Sequence, residues 1–556
     1  MTNMIKNNKL LAISINVFFV ILFAIFGIVR YGSLDDYFMS TVMTGAYGSE
    51  FDPHLVFINA VIAYFLKPLY WLFPKVGWLY IFEGSSIFAS FSIICYFFIK
   101  QLKRKFGIPF AFLIASFSLN FYNEISFTQC AALLVTTGSL LFLFGTREQR
   151  TFSLTIGVLF LFIGASLRWQ MFLLGIPFML LPLVLLQNPL RSWRITAFVA
   201  VALCAVAIFA SQKFDDSLYN TKEYQHYKAY QGTRSLFGDG GHYEKDAVYD
   251  ELEERGLQGR DFQLLCGWNF YDTQVFSLDS LVPIVQVVKR NAYMINKVRL
   301  PAAIALAISN SFTRNEAWFW CIVSIFILMF SKKRSRLYPW VSLAIVVSAY
   351  TYLFMLNRIA GHVEMGIWLY ASMMGIPLLQ PPPENAIGKF GKVVCRLPHV
   401  IFLIAICFAF IAILNLPKME RNNHLLTIPE MSDSWRMFVV YAERHPNDIF
   451  LLSFYNYMEL GMVKDPAYKA AAPSSWKNII PIGYWNVYLP GMTRELKHRG
   501  VENPLRDIVK DNVFTIENGN LPRFQLYYLT HYHKNLKVDT IKTLGDIMLL
   551  KYSEAK

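Results

Sequence analysis

The stretch SLDDYFMSTVMTGAYGSE, residues 33–50, comes straight after an apolar run at 10–29. Crossing about 30 Å of hydrocarbon takes roughly 20 apolar residues, so that run reads as an uncleaved membrane anchor. A carboxylate at such a boundary is costly and is a functional hypothesis by default. Asp35 and Asp36 are therefore either helix-start charges in water or chemistry held at a membrane face.

Working outward, 55% of the 556 residues are hydrophobic and only 16% are charged. Soluble chains carry roughly 25% charge, so the composition is that of a membrane protein. The net charge of +14 does not point to nucleic acid, because the cations lie mostly in short linkers between apolar runs. Of seven cysteines, only Cys266 lies in a long polar stretch, which leaves no disulfide framework.

Eleven apolar runs are expected to span: 10–29, 78–99, 106–122, 125–145, 151–166, 171–187, 195–211, 316–330, 338–356, 365–379 and 398–416. With the N-terminus inside, the inward loops carry seventeen Lys or Arg against two acids, Glu148 and Glu384. That asymmetry predicts a cytoplasmic N-terminus and an extracytoplasmic C-terminus. The segment LPAAIALAIS at 300–309 is too short to span alone.

The outward segments are then large: 31–77, 212–315 and 417–556. Residues 1–416 form the expected transmembrane domain. In the tail, NDIFLLSFYN, NIIPIGYWNVYL and GDIMLLKYSE alternate with helical stretches such as RFQLYYLTHYH, which predicts an extracytoplasmic α/β domain. The expected fold is thus an α-helical polytopic membrane protein with an appended α/β domain. Within the first loop, LVFINAVIAYFLKPLYWLFP, with prolines at 68 and 74, reads as a pair of helices lying along the outer face.

LDDYFMSTVMTGAYG followed by DPHLVFINAVIAYFLKPLYWLFP resembles the first external loop of the GT-C superfamily of integral-membrane glycosyltransferases. Members combine an acidic residue or pair directly after the first span, interfacial helices in the same loop, many spans and often an external C-terminal domain. The resemblance covers the membrane part and the presence of a tail, and no subfamily signature accompanies it. It implies a polyprenyl-phosphate-linked sugar as donor, a glycan or lipid-linked acceptor, and inversion at the anomeric carbon. It also implies Asp35 or Asp36 as the base that takes the acceptor proton. The residue type suits the role, since a carboxylate near its reference pKa of roughly 3.9 is ionised at neutral pH.

A lipid-phosphate leaving group calls for cations on the same face. Arg168, in GASLRWQMF, and Arg358 with His362, in MLNRIAGHVEMG, lie at outward span ends. Arginine stays charged and offers a planar fork to phosphate oxygens, though each of these also fits a snorkelling boundary arginine. Glu50, Asp52, His54, Glu364 and Arg314 are accessory candidates, with Arg314 and Glu316 expected to pair with each other at the surface. The pair Asp215 and Asp216 reads as solvated charge, and Asn123 and Glu124 read as a turn. FGDGGHY at 237–243 lacks the setting of a phosphate loop, and HYH at 531–533 lacks a third metal ligand. The sequence demands no cofactor, and a divalent cation is compatible with the acidic pair.

Two further classes compete with the transferase. A polysaccharide polymerase or ligase on the same kind of donor would rely on arginine and histidine, with the acidic pair dispensable. A lipid-glycan flippase would line its spans with charge, and the spans here are nearly charge-free. The absence of any Asn-x-Ser/Thr sequon suits a bacterial plasma membrane.

Overall fold

Helices that are apolar on every side have nowhere to bury all their surface in water, and this chain is built mostly of them. A computed structural model describes residues 7–48, 50–186, 194–238, 243–256, 259–293, 299–383, 388–416, 427–516 and 521–555. Lys6 and Arg191, two of the seventeen inward cations, with Glu384 and residues 239–242 of the glycine-rich stretch, lie outside them. Seven described helices are long and apolar enough to cross a membrane: Asn8–Phe26, Trp78–Gln101, Lys103–Asn123, Phe127–Arg147, Ile195–Leu218, Lys333–Met355 and Lys392–Leu414. Thr151–Leu167, Trp169–Leu185 and Asn315–Phe330 are shorter apolar helices, and Gly361–Met373 with a 3-10 turn occupies the tenth expected run. Large apolar side chains such as Phe18, Phe198, Phe209, Leu403 and Phe410 point outward from these helices, as a lipid-facing surface requires. The chain is a helical polytopic membrane protein with a small C-terminal sheet.

Phe127–Arg147 is the central helix, buried along nearly its whole length. Thr151–Leu167 returns against it so closely that a Cβ added at Gly138 would lie 2.8 Å from the Gly157 carbonyl oxygen. Without a hydrophobic drive between helices in lipid, such small-residue seams bring backbones into contact. The basic linkers gather at one end of the bundle. There Lys100 pairs with Glu148 at 2.5 Å, Arg104 donates to Asn8 at 2.8 Å and Arg334 donates to the Val184 carbonyl at 2.6 Å. At the other end Gly32 N–H donates to Ile125 O at 2.7 Å and Asn59 N–H to Ser166 O at 2.9 Å, which ties the first loop to two helix hairpins.

One expectation changes. The proline-bearing part of the first loop holds one helix, Ala60–Leu72, with Pro68 inside it, because Asn59 caps the helix only at its start and 51–59 stays irregular. Residues 300–309 belong to the helix Leu300–Ser311. Its buried Ala303, Ala307 and Ser311 recur every fourth position and let it pack along Tyr338–Met355.

The tail holds strands β1 (Ile449–Leu452), β2 (Ile479–Pro481), β3 (Val513–Ile516), β4 (Leu536–Leu544) and β5 (Ile547–Glu554), in the order β2-β1-β3-β5-β4. β1 pairs parallel with both β2 and β3, and the hairpin of β4 and β5 closes the edge antiparallel. The chain runs from β1 to β2 on one side and from β2 across to β3 on the other, so the carboxyl ends of β1 and β3 open at a topological switch point, where α/β sheets place ligands. That edge faces the first loop. Phe38 stacks on Tyr457 with centroids 4.5 Å apart, Tyr37 donates to Asp465 at 2.7 Å, and Trp476 N–H donates to Ala46 O at 2.8 Å.

Candidate functional site

Ser33 caps the helix Leu34–Met43, accepting from Asp35 N–H at 3.2 Å. This cap fixes the two carboxylates one residue apart on a helix, about 100° around its axis, so they face different surroundings. Asp36 is fully buried. Its Oδ1 accepts from Phe127 N–H at 3.0 Å, so it serves as a tertiary cap for the central helix. Its carboxyl also meets that of Glu83, and no other donor reaches Asp36 Oδ2 or either Glu83 oxygen among the described residues. Two carboxyls bond only with a proton between them. Burial pushes Asp36 well above the usual carboxylate range.

Asp35 instead lines a cavity of about 320 Å³. Tyr484, just past the carboxyl end of β2, donates to Asp35 Oδ1 at 2.9 Å. Arg168, Arg358 and His362 line the same cavity, so four candidates scattered over 328 positions meet at one place. Arg168 sits where Thr151–Leu167 breaks and Trp169–Leu185 begins, with its guanidinium carbon 5.3 Å from the Phe127 ring centre. Burial, then the charges of Arg168 and Arg314, hold His362 below the usual imidazole range. It is therefore neutral at pH 7, able to accept or donate one proton.

The sequence reading did not find the rest of the wall. Arg234, on Lys222–Gly238, donates to Gln231 at 2.7 Å and lies over Trp268 with its guanidinium carbon 5.1 Å from the ring centre. Trp268 stacks on Phe454 at 4.9 Å, and Phe57 meets Trp485 edge to face at 5.4 Å. Trp268 adopts φ +58°, a left-handed backbone that is unusual for a bulky residue. Gly483 makes room for it, because a Cβ there would lie 2.3 Å from the Trp268 carbonyl oxygen. The signals were the aromatic doublet YW at 484–485, the tryptophan of GW at 267–268 and an arginine just beyond the tyrosines at 224, 227 and 230.

A second cavity of about 410 Å³ adjoins the first, and Phe57, Arg168 and Arg234 line both. Asp215 faces this second space and accepts from Ala60 N–H at 2.9 Å. That corrects the reading of Asp215 as solvated charge, which holds only for Asp216, paired at the surface with Lys228 at 2.8 Å.

The accessory candidates fall elsewhere. Asp52 and His54 are buried ties: His54 Nδ1 meets Asp52 at 2.5 Å, its Nε2 meets the Leu218 carbonyl at 3.0 Å, and Tyr224 donates to Asp52 at 2.8 Å. Both ring nitrogens are engaged, so His54 has none to offer as a base. Glu50 is exposed and lines neither cavity. Arg314 pairs with Glu364 at 3.1 Å rather than with Glu316, whose side chain turns inward and is buried. His531 pairs with Asp261 at 3.0 Å. Among the described residues no three of His, Cys, Asp or Glu are grouped to hold a metal ion. No protein-family model matches the chain, and no curated protein sequence matches it.

Proposed function

We propose that the protein is an inverting glycosyltransferase of the GT-C kind, moving a sugar from a polyprenyl-phosphate-linked donor to a cell-surface glycan or lipid-linked acceptor. The observation that carries this reading is the meeting of Asp35 with Arg168, Arg234 and Arg358 around one aromatic-walled cavity, at the end of the bundle opposite the basic linkers. In this reading all eleven apolar runs span, the N-terminus is cytoplasmic, and the site and tail face the outside of a bacterial plasma membrane.

Asp35 takes the proton from the acceptor hydroxyl as that oxygen attacks the anomeric carbon. The carbon–oxygen bond to phosphate breaks on the opposite side, and the phosphate leaves with the electron pair. Guanidinium groups stabilise the charge that gathers on it. Tyr484 orients the base by holding one carboxylate oxygen, and the stacked Trp268 and Phe454 rings give the sugar an apolar wall. Asp36 keeps its distance from the chemistry and holds the helix that presents Asp35.

The clustering of three arginines and His362 also favours a second reading, a lipid-linked polymerase or ligase that works without Asp35. Purified protein given polyprenyl-phosphate sugar and a crude glycan acceptor separates the two. Asp35→Asn should bind donor and fail to transfer under the first reading, and should transfer near normally under the second.

A further inference from the structure

We infer that the donor's anionic group is a diphosphate rather than a single phosphate. The inference rests on the transferase reading above and narrows its substrate class. Three guanidinium groups border the cavity, and each comes from a different part of the chain. Arg168 stands at a helix break, Arg234 on Lys222–Gly238, and Arg358 between Tyr338–Met355 and Gly361–Met373. The carboxylate lining the same space is Asp35. Three positive charges against one leave an excess of two before His362 is considered. A sugar–lipid monophosphate is a diester with one negative charge, and a sugar–lipid diphosphate carries two.

Geometry points the same way. A guanidinium fork pairs best with two oxygens at once. One phosphodiester offers two non-bridging oxygens, enough for one fork, whereas a diphosphate offers four along a longer axis. Arg168 and Arg234 also border the adjoining cavity of about 410 Å³, where the lining carboxylate, Asp215, accepts from Ala60 N–H and Lys228 is paired with Asp216. Two of the three guanidinium groups are thus shared by both cavities, which leaves an anion bound there room for more than one phosphate. The anomeric carbon then lies on the Asp35 side and the second phosphate toward Arg168 and Arg234.

The test uses full-length protein in lipid nanodiscs with the methyl esters of geranyl phosphate and geranyl diphosphate, which carry one and two negative charges as the two donor classes do, at matched ionic strength. The expected result is a Kd at least tenfold lower for the diphosphate. Arg358→Ala, at an exposed position, and Arg234→Lys, which retains charge without the fork, should each cut that preference several-fold. Equal or tighter binding of the monophosphate would overturn the inference and leave the transferase reading standing. A preference that persists undiminished in both variants would also overturn it, since the arginines would not be its source. Saturable binding of neither probe would remove the lipid-phosphate donor itself, and the inference with it.

Discussion

Tyr484 and Asp35 lie 449 positions apart in sequence and 2.9 Å apart in the fold, hydroxyl to carboxylate. One belongs to the first loop after the first helix, the other to the carboxyl edge of the tail sheet. The tail therefore completes the site wall, and Asp35, the proposed base, depends on it for orientation. Asp35→Asn should lower turnover by about 10²- to 10⁴-fold, the usual cost of losing a positioned base, with donor binding retained. Tyr484→Phe should cost less and should shift the acidic limb of the pH–rate profile, because it removes a hydrogen bond to the ionised form. Product analysis by mass spectrometry measures both, and an unshifted profile for Tyr484→Phe would assign it packing alone.

Asp36 should make the protein less stable as pH rises. Its carboxyl, pushed up to about 8 by burial, keeps a proton that the unfolded chain releases near pH 4. Between those values the unfolded state binds fewer protons, so stability is greatest at the acid side of the window, falls through it, and levels off above. Asp36→Asn should flatten this slope, since an amide supplies both the oxygen for Phe127 N–H and an N–H for Glu83. Melting curves in detergent at pH 5 to 9 test it, and a flat wild-type profile would exclude a shared proton.

Sidedness can be read chemically. Single cysteines at Lys103 or Lys333, in a chain freed of its seven native thiols, should resist a membrane-impermeant maleimide in intact cells, and a cysteine at Gly500 should react. Labelling at Lys333 but not Gly500 would invert the orientation.

How much of the site was legible follows from where its charges sit. Asp35, Arg168, Arg358 and His362 could be read because each is a polar residue at the end of an apolar run, where solvation alone makes it conspicuous. Arg234 and Trp268 lie in a long polar segment, where charge and aromaticity are ordinary, and Tyr484 lies in an apolar run of the tail, where an aromatic ring reads as core; only tertiary folding brings them to Asp35. Glu83 was hidden for the opposite reason: one acid within WLYIFEGSSIF scarcely changes the hydropathy of a 24-residue helix. Strands β1, β2 and β5 were visible as apolar runs of the tail, but the short strand Val513–Ile516 and the exposed Leu536–Leu544 lack a clear alternation of buried and exposed positions.

Gly483 offers a way to disturb the cavity wall without touching a charged group. A methyl group there would sit 2.3 Å from the Trp268 carbonyl oxygen, which is backbone and cannot swing aside, so one of the two segments must move. Ile482 accepts from Tyr271 N–H at 2.9 Å and itself donates to Leu452 O at 2.9 Å, which anchors the strand side to the sheet. The displacement should therefore fall on Trp268, already held at φ +58°, and carry its ring off Phe454 and away from Arg234. Gly483→Ala should cost about 1–3 kcal/mol of stability, the usual range for overpacking, and raise the KM for sugar donor more than it lowers kcat. Trp268→Ala, which removes the ring and leaves the glycine contact intact, should reproduce the KM effect with a different stability change. Normal KM in both variants would show that the Trp268 face takes no part in binding the sugar.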